Sequence, residues 1–205
     1  RGKGVYCQKP LTHTIDEARR LTLAARKHKV ATQMGNQGRS HPQVRREVEL
    51  VRAGVLGPVH EVHCWTDRAG TWWPQGVHAP TNTPAVPKSL DWDLWLGVAQ
   101  PRPYSPAYVP FAWRGFWDFG TGALGDMGCH LFNLPDMALG IRNATRVEAH
   151  SEGMTAESAP KWSIVRWEIP ADGSRPAYTL WWYDGGRLPP ATLFPSEKYA
   201  DNGVL

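Results

Sequence analysis

The 205 residues carry 23 lysines and arginines against 19 acids, a formal net charge of +4, with eleven tryptophans and three cysteines. The basic residues are scattered, with only short clusters such as Arg19-Arg20 and Arg45-Arg46, which excludes nucleic acid as a partner. No apolar run approaches the roughly 20 residues of a membrane-spanning helix, which excludes a membrane span, and three cysteines (Cys7, Cys64, Cys129) without metal-ligand spacing point to reduced thiols, cytoplasmic by default.

The chain begins at Arg1 without a methionine and enters a short buried strand over residues 4 to 7, so its start reads as a cut. Proline stops that strand in Gln8-Lys9-Pro10. Thr14 and Glu17 form a capping box, and Ile15, Ala18, Leu21 and Ala25 make the apolar stripe of a helix running to about His28. Val30 to Met34 is a second short strand, which completes a βαβ unit of the kind found in parallel α/β sheets. Gly35 to Arg39 is a turn, and Ser40 with Gln43 reads as another capping box for a helix lined by Val44, Val48 and Val51 and ended by Gly54.

Val59 to Thr66, Trp162 to Ile169 and Tyr178 to Tyr183 alternate as strands, with Ala144 to His150 a weaker fourth. This predicts an α/β (α+β) fold: a βαβ unit followed by an open, mainly antiparallel sheet with helices on one face. Residues 67 to 112 are irregular and rich in Pro, Gly and Trp, broken by a short helix at Leu90 to Leu96. So long a loop is functional or disordered, and its tryptophans argue against disorder. The chain stops in Asn202-Gly203-Val204-Leu205, a turn signal before the start of another strand, so this end also reads as a cut.

From about Ala123 to Leu139 the leucines 124, 131, 134 and 139 recur at helical spacing, which carries Asp126 and His130 on one face. There a carboxylate can hydrogen-bond one imidazole nitrogen, fixing the tautomer and leaving the other to take a proton near neutral pH. The competing reading on spacing alone is an ordinary solvated acid and base pair. Glycines 115, 120, 122, 125 and 128 leave room for a close backbone approach to a ligand. Trp72, Trp73, Trp92, Trp95, Trp113 and Trp117 are the candidates for a sugar-binding wall, whereas tryptophans on the strands simply pack. His60, His63 and Cys64 are rejected as a zinc site, because residues three apart on a strand face opposite ways. Cys129 and His130 are rejected as a nucleophilic dyad, since helix neighbours point roughly 100° apart.

Gly2 to Leu11, Met34-Gly35-Asn36-Gln37-Gly38-Arg39, Leu90-Asp91-Trp92-Asp93-Leu94-Trp95-Leu96-Gly97 and Trp113 to His130 together resemble the Gfo/Idh/MocA oxidoreductases. The resemblance implies that residues 1–38 are the end of a Rossmann domain holding NAD or NADP. It implies that 39–205 are most of a C-terminal substrate domain, whose open sheet often makes oligomer contacts. The family's Glu-Lys-Pro motif falls on Gln8, Lys9 and Pro10, with glutamine in place of the acid. The resemblance puts Lys9, Asp126 and His130 in catalysis. It puts Gln8, Lys9, Pro10, Asn36, Trp113 and Arg114 near the cofactor, and Arg39, Trp73, Trp113, Asp126 and His130 near a sugar or polyol. The reaction it implies is hydride transfer between nicotinamide and that substrate. The alternatives are an NAD-dependent glycosidase acting through transient oxidation, and a non-catalytic fragment.

Overall fold

The computed structural model describes residues 2–195 and 198–205. Its first unit is β1 (Val5–Gln8), α1 (Ile15–His28) and β2 (Thr32–Gly35), with the two strands parallel and Gln8 opposite Gly35. The capping box forms as the spacing requires: the Glu17 amide donates to Thr14 Oγ1 at 3.2 Å and the Thr14 amide to Glu17 Oε2 at 3.0 Å. The next helix, α2 (Pro42–Arg52), begins one residue later than Ser40 and Gln43 imply. A residue before proline is pushed out of the helical region, so His41 cannot open the helix and becomes its cap. Its Nδ1 accepts from the Gln43 amide at 3.3 Å.

The main sheet has the order β4-β5-β6-β3-β7, from β3 (Glu61–Thr66), β4 (Arg146–Glu152), β5 (Trp162–Ile169), β6 (Tyr178–Tyr183) and β7 (Asn202–Val204). All its pairings are antiparallel except β3 with β6. The chain leaves β3 through residues 67–145 and returns by the β4-β5-β6 meander, so β3 lies parallel to the strand it finally meets. Asn202 and Gly203 belong to β7 itself, pairing with Thr66 and Trp65, rather than to a turn before it.

Period-two alternation sends Val62 and Cys64, Val165, and Leu180 and Trp182 to one face, where they form the core. That face is covered by α5 (Gly122–Leu131) and α6 (Asn133–Leu139), the single helix expected over this stretch being broken at Phe132. The cause is Pro135: it has no amide to bond the carbonyl of Leu131, and its ring crowds that carbonyl, so it is tolerated only in the first turn of a new helix. At the break, Phe132 drops edge-on onto Trp167 and Trp182, with both ring centroids 5.6 Å away.

After α3 (Arg68–Thr71), one kinked turn whose Ala69 joins the main core, residues 77–119 close as a second, aromatic core around α4 (Trp92–Leu96). Trp92 stacks on Trp95 at 4.8 Å, and Tyr108 meets Phe116 edge-on at 4.8 Å. Trp92 and Trp95 therefore hold the irregular segment together. The glycines correct another expectation, because Gly115 lies against the Pro74 carbonyl and Gly120 against the backbone of Arg114. A Cβ at either would strike main chain, so these two close the chain on itself rather than opening it to a ligand.

On the sheet's other face, His63 is almost fully buried and forms a triangle with Trp181 and Tyr183, the ring centroids 5.9–6.2 Å apart, its Nδ1 3.0 Å from Tyr183 Oη. Burial pushes its pKa below 6.5, against the pull of Glu61. A lowered histidine pKa means that the unfolded chain binds the proton first as pH falls below 6.5, so stability present above that pH is lost going down. Urea midpoints should fall between about pH 7.5 and pH 5, and His63→Gln should flatten part of that slope. An unchanged slope in the variant refutes the assignment.

Candidate active site

β1 ends at Gln8, so Lys9 leaves the sheet at its carboxyl edge, the side on which open α/β sheets present their crevice. Gln8 is exposed and its side chain lies over Gly35, where a Cβ would collide with it. The Lys9–Pro10 peptide is cis, and Pro10 is half-buried. The Lys9 ammonium crosses to α5 and donates to the Asp126 carbonyl at 3.0 Å and to Asp126 Oδ1 at 3.2 Å. Arg114, at the end of a 3-10 turn, brings its Nε to 3.4 Å from the same Oδ1. Asp126 is 7% exposed, so its charge is offset by these two cations rather than by water.

His130 lies one turn along α5. Burial lowers its pKa below 6.5, the Lys9 charge lowers it further, Asp126 raises it, and Arg68 lowers it. The structure thus brings together the three residues assigned to catalysis. The hydrogen bond expected from Asp126 to His130 is replaced by another: Oδ1 of Asn36 lies 2.9 Å from His130 Nδ1. Spacing on α5 carries both groups to one region, but the closer cations capture the carboxylate, which charge-assisted contacts favour. Asn36 was expected at the cofactor, yet its amide is turned onto α5, with Nδ2 donating to the Cys129 carbonyl at 2.5 Å.

Other assignments separate. Arg39 is exposed, approaches Asn133 Oδ1 at 3.4 Å, and shares with Asn36, Cys129, Phe132 and Asp136 a cleft of about 530 Å³. Trp113 lies under the Arg114 guanidinium, 4.5 Å away, and lines a second cleft with His13, Glu17, Trp95 and Asp118. Trp73 is corrected: it is 3% exposed in the core, its indole donating to Gln75 Oε1 at 3.0 Å, so it cannot face a sugar. The Cys129 thiol donates to the Asp126 carbonyl at 3.2 Å, and burial raises its pKa, which keeps it protonated and unreactive. Sequence reasoning missed Arg68, whose guanidinium lies 3.6 Å over Trp72 and whose charge reaches His130. No local spacing signals it, because Arg68 and His130 are far apart in the chain.

The fold is that of a known class of proteins. The chain aligns with an NAD-binding oxidoreductase from Klebsiella pneumoniae at a TM-score of 0.56 and 20% identity, covering 91% of this chain and 44% of that one. It aligns with the WlbA dehydrogenase of Chromobacterium violaceum, solved with NADH and UDP-GlcNAcA, at a TM-score of 0.55 and 16% identity, covering 87% and 41%. Residues 41–175 match the oxidoreductase family C-terminal alpha/beta domain, and the chain belongs to this Gfo/Idh/MocA family. A 65-residue stretch is 35% identical to the rhizopine catabolism protein MocA of Rhizobium meliloti, covering 32% of this chain and 20% of that protein. The chain spans less than half the length of these structural relatives. Among the described residues no helix is long and apolar enough to cross a membrane.

Proposed function

We propose that the full-length protein is an NAD(P)-dependent oxidoreductase acting on a sugar, a polyol or a related carbohydrate. The observation that carries this reading is the Lys9 ammonium locked on Asp126 beside a half-buried, uncharged His130. Residues 1–38 are then the end of the dinucleotide-binding domain and 39–205 the substrate domain. The parallel β1–β2 pair, with Lys9 at its carboxyl edge, fits the nicotinamide end of such a cofactor. Gln8, Lys9, Pro10, Trp113 and Arg114 are the residues proposed to hold it. The cofactor supplies the hydride acceptor.

His130 takes the proton of the substrate hydroxyl as the carbon gives up its hydride and the C–O bond becomes a carbonyl. Two donors of the Lys9 ammonium are spent on Asp126, leaving one to steady the negative charge that develops on the substrate oxygen. Arg114 shares Asp126 Oδ1 with the lysine and steadies the carboxylate that aims it. A carbohydrate is supported by the sugar nucleotide in the WlbA structure and by the carbohydrate-type chemistry that the hydroxyl-directed base serves. A homo-oligomer formed through the open sheet face belongs to the same proposal, supported by the aromatic and charged row Trp181, Arg166 and Glu148 across β6, β5 and β4.

The test is a panel of sugars and polyols with the full-length protein and NAD or NADP, followed by nicotinamide absorbance. Reduced cofactor should accumulate in step with the carbonyl product. Release of a free sugar from a glycoside with no net cofactor reduction identifies the glycosidase alternative instead, and no turnover on any member of the panel removes the reading.

A further inference from the structure

We infer that Asn36 is the positioning residue of the site: it places the single imidazole proton of His130 on Nδ1 and leaves the Nε2 lone pair as the base. The inference rests on the proposed reaction only for its catalytic meaning, not for its geometry.

The argument starts from a group with no choice. A main-chain carbonyl only accepts hydrogen bonds. The helix break caused by Pro135 ends α5 at Leu131, so the Cys129 carbonyl falls in the last turn, among the carbonyls that a helix leaves without an internal partner. It faces the side chain of Asn36 at 2.5 Å and therefore must meet the NH2 end of that amide. The amide is planar, so its oxygen is the other end, and that end lies 2.9 Å from His130 Nδ1. An oxygen acceptor requires a proton on the nitrogen. Neutral imidazole carries only one, and Nε2 is left without it. Among the described residues nothing hydrogen-bonds Nε2.

Every charged group near the ring fits this assignment. Lys9 arrives from the end of β1, Arg68 from the turn after β3, and Asp126 from one turn earlier on α5. The two cations disfavour a second proton, and Asp126 is engaged by Lys9 and Arg114 rather than by the ring. The orienting role that a carboxylate commonly plays toward a catalytic histidine passes here to a neutral amide, which fixes the tautomer without adding negative charge. Asn36 reaches the ring because β2 ends at Gly35, directly beside β1 and Lys9.

The experiment is long-range proton–nitrogen correlation spectroscopy on full-length protein labelled with 15N-histidine, with His130 identified by the signal lost in His130→Gln. The expected spectrum near pH 7.5 has the proton on Nδ1. Asn36→Leu should move it toward Nε2, the tautomer that free histidine favours. In turnover, Asn36→Leu should lower kcat about tenfold to hundredfold with little change in KM. A wild-type proton on Nε2, or an Asn36→Leu spectrum identical to wild type, overturns the inference. The spectrum needs no substrate, so a failure of the proposed reaction shows in the turnover panel alone, and a failure of the positioning role shows in the spectrum.

Discussion

Replacing His130 by alanine in the full-length enzyme should lower kcat by about two to four powers of ten, the usual contribution of a general base. That is about 3–6 kcal/mol of barrier, at about 1.4 kcal/mol per tenfold. KM should change much less, because the imidazole acts on the proton in flight more than on the bound sugar. The acid limb of the wild-type kcat/KM profile should have its midpoint below 6.5, the direction in which burial, Lys9 and Arg68 move the ring. Activity in the oxidation direction therefore persists into mildly acidic solution before protonation removes the base, and His130→Ala should lose that limb. The variant also leaves Asn36 Oδ1 without its partner, a cost of about 1–3 kcal/mol for an unsatisfied group, so circular dichroism and a urea midpoint should accompany the kinetics. A folded variant whose kcat lies within about threefold of wild type would end the assignment of His130 as base.

Trp182→Ala should destabilise the protein by about 3–5 kcal/mol, the range for deleting a large aromatic side chain from a packed core. Trp182 has no exposed surface, sits on β6 between Val165 of β5 and Cys64 of β3, and meets Phe132 edge-on. Its indole also donates to Asp184 Oδ2 at 2.8 Å. Asp184 keeps its bonds from the Ser163 amide and hydroxyl, so the larger part of the loss is the cavity rather than a stranded carboxylate. The cavity opens under Phe132, the residue at which α5 ends. The variant should therefore also raise the mobility of His130, seen as faster amide exchange across residues 126–132. Trp182→Phe should restore about half of the lost stability, since it refills part of the volume. A urea midpoint that moves by less than the equivalent of about 1 kcal/mol would show that the sheet and the helix layer are not joined through this residue.

Much of this architecture is legible in local patterns. The Thr14 and Glu17 box, the apolar stripe of α1 and the alternation of β5 and β6 each rest on residues only a few positions apart, and local hydrogen bonds or side-chain periodicity decide them. Pro42 and Pro135 were equally visible, and their known conformational limits explain both departures in the helices: the shifted start of α2 and the break at Phe132. Asp126 and His130 stand out because their i, i+4 spacing suits acid–base chemistry, and Lys9 because Gln8-Lys9-Pro10 resembles the family's Glu-Lys-Pro motif.

The sequence by itself determined the principal helices and strands and the residue types proposed to carry the chemistry. Only the tertiary structure decided how those side chains are shared. Asp126 was free, on spacing, to bond His130, but the fold delivers Lys9 from β1 and Arg114 from the aromatic segment to the same oxygen. The imidazole is left to Asn36, 94 positions away in the chain. Trp73 has the composition of a binding wall and is consumed by the core instead. In each case groups of similar affinity compete for one partner. Distance in the folded chain, which no window of neighbouring residues contains, decides the winner.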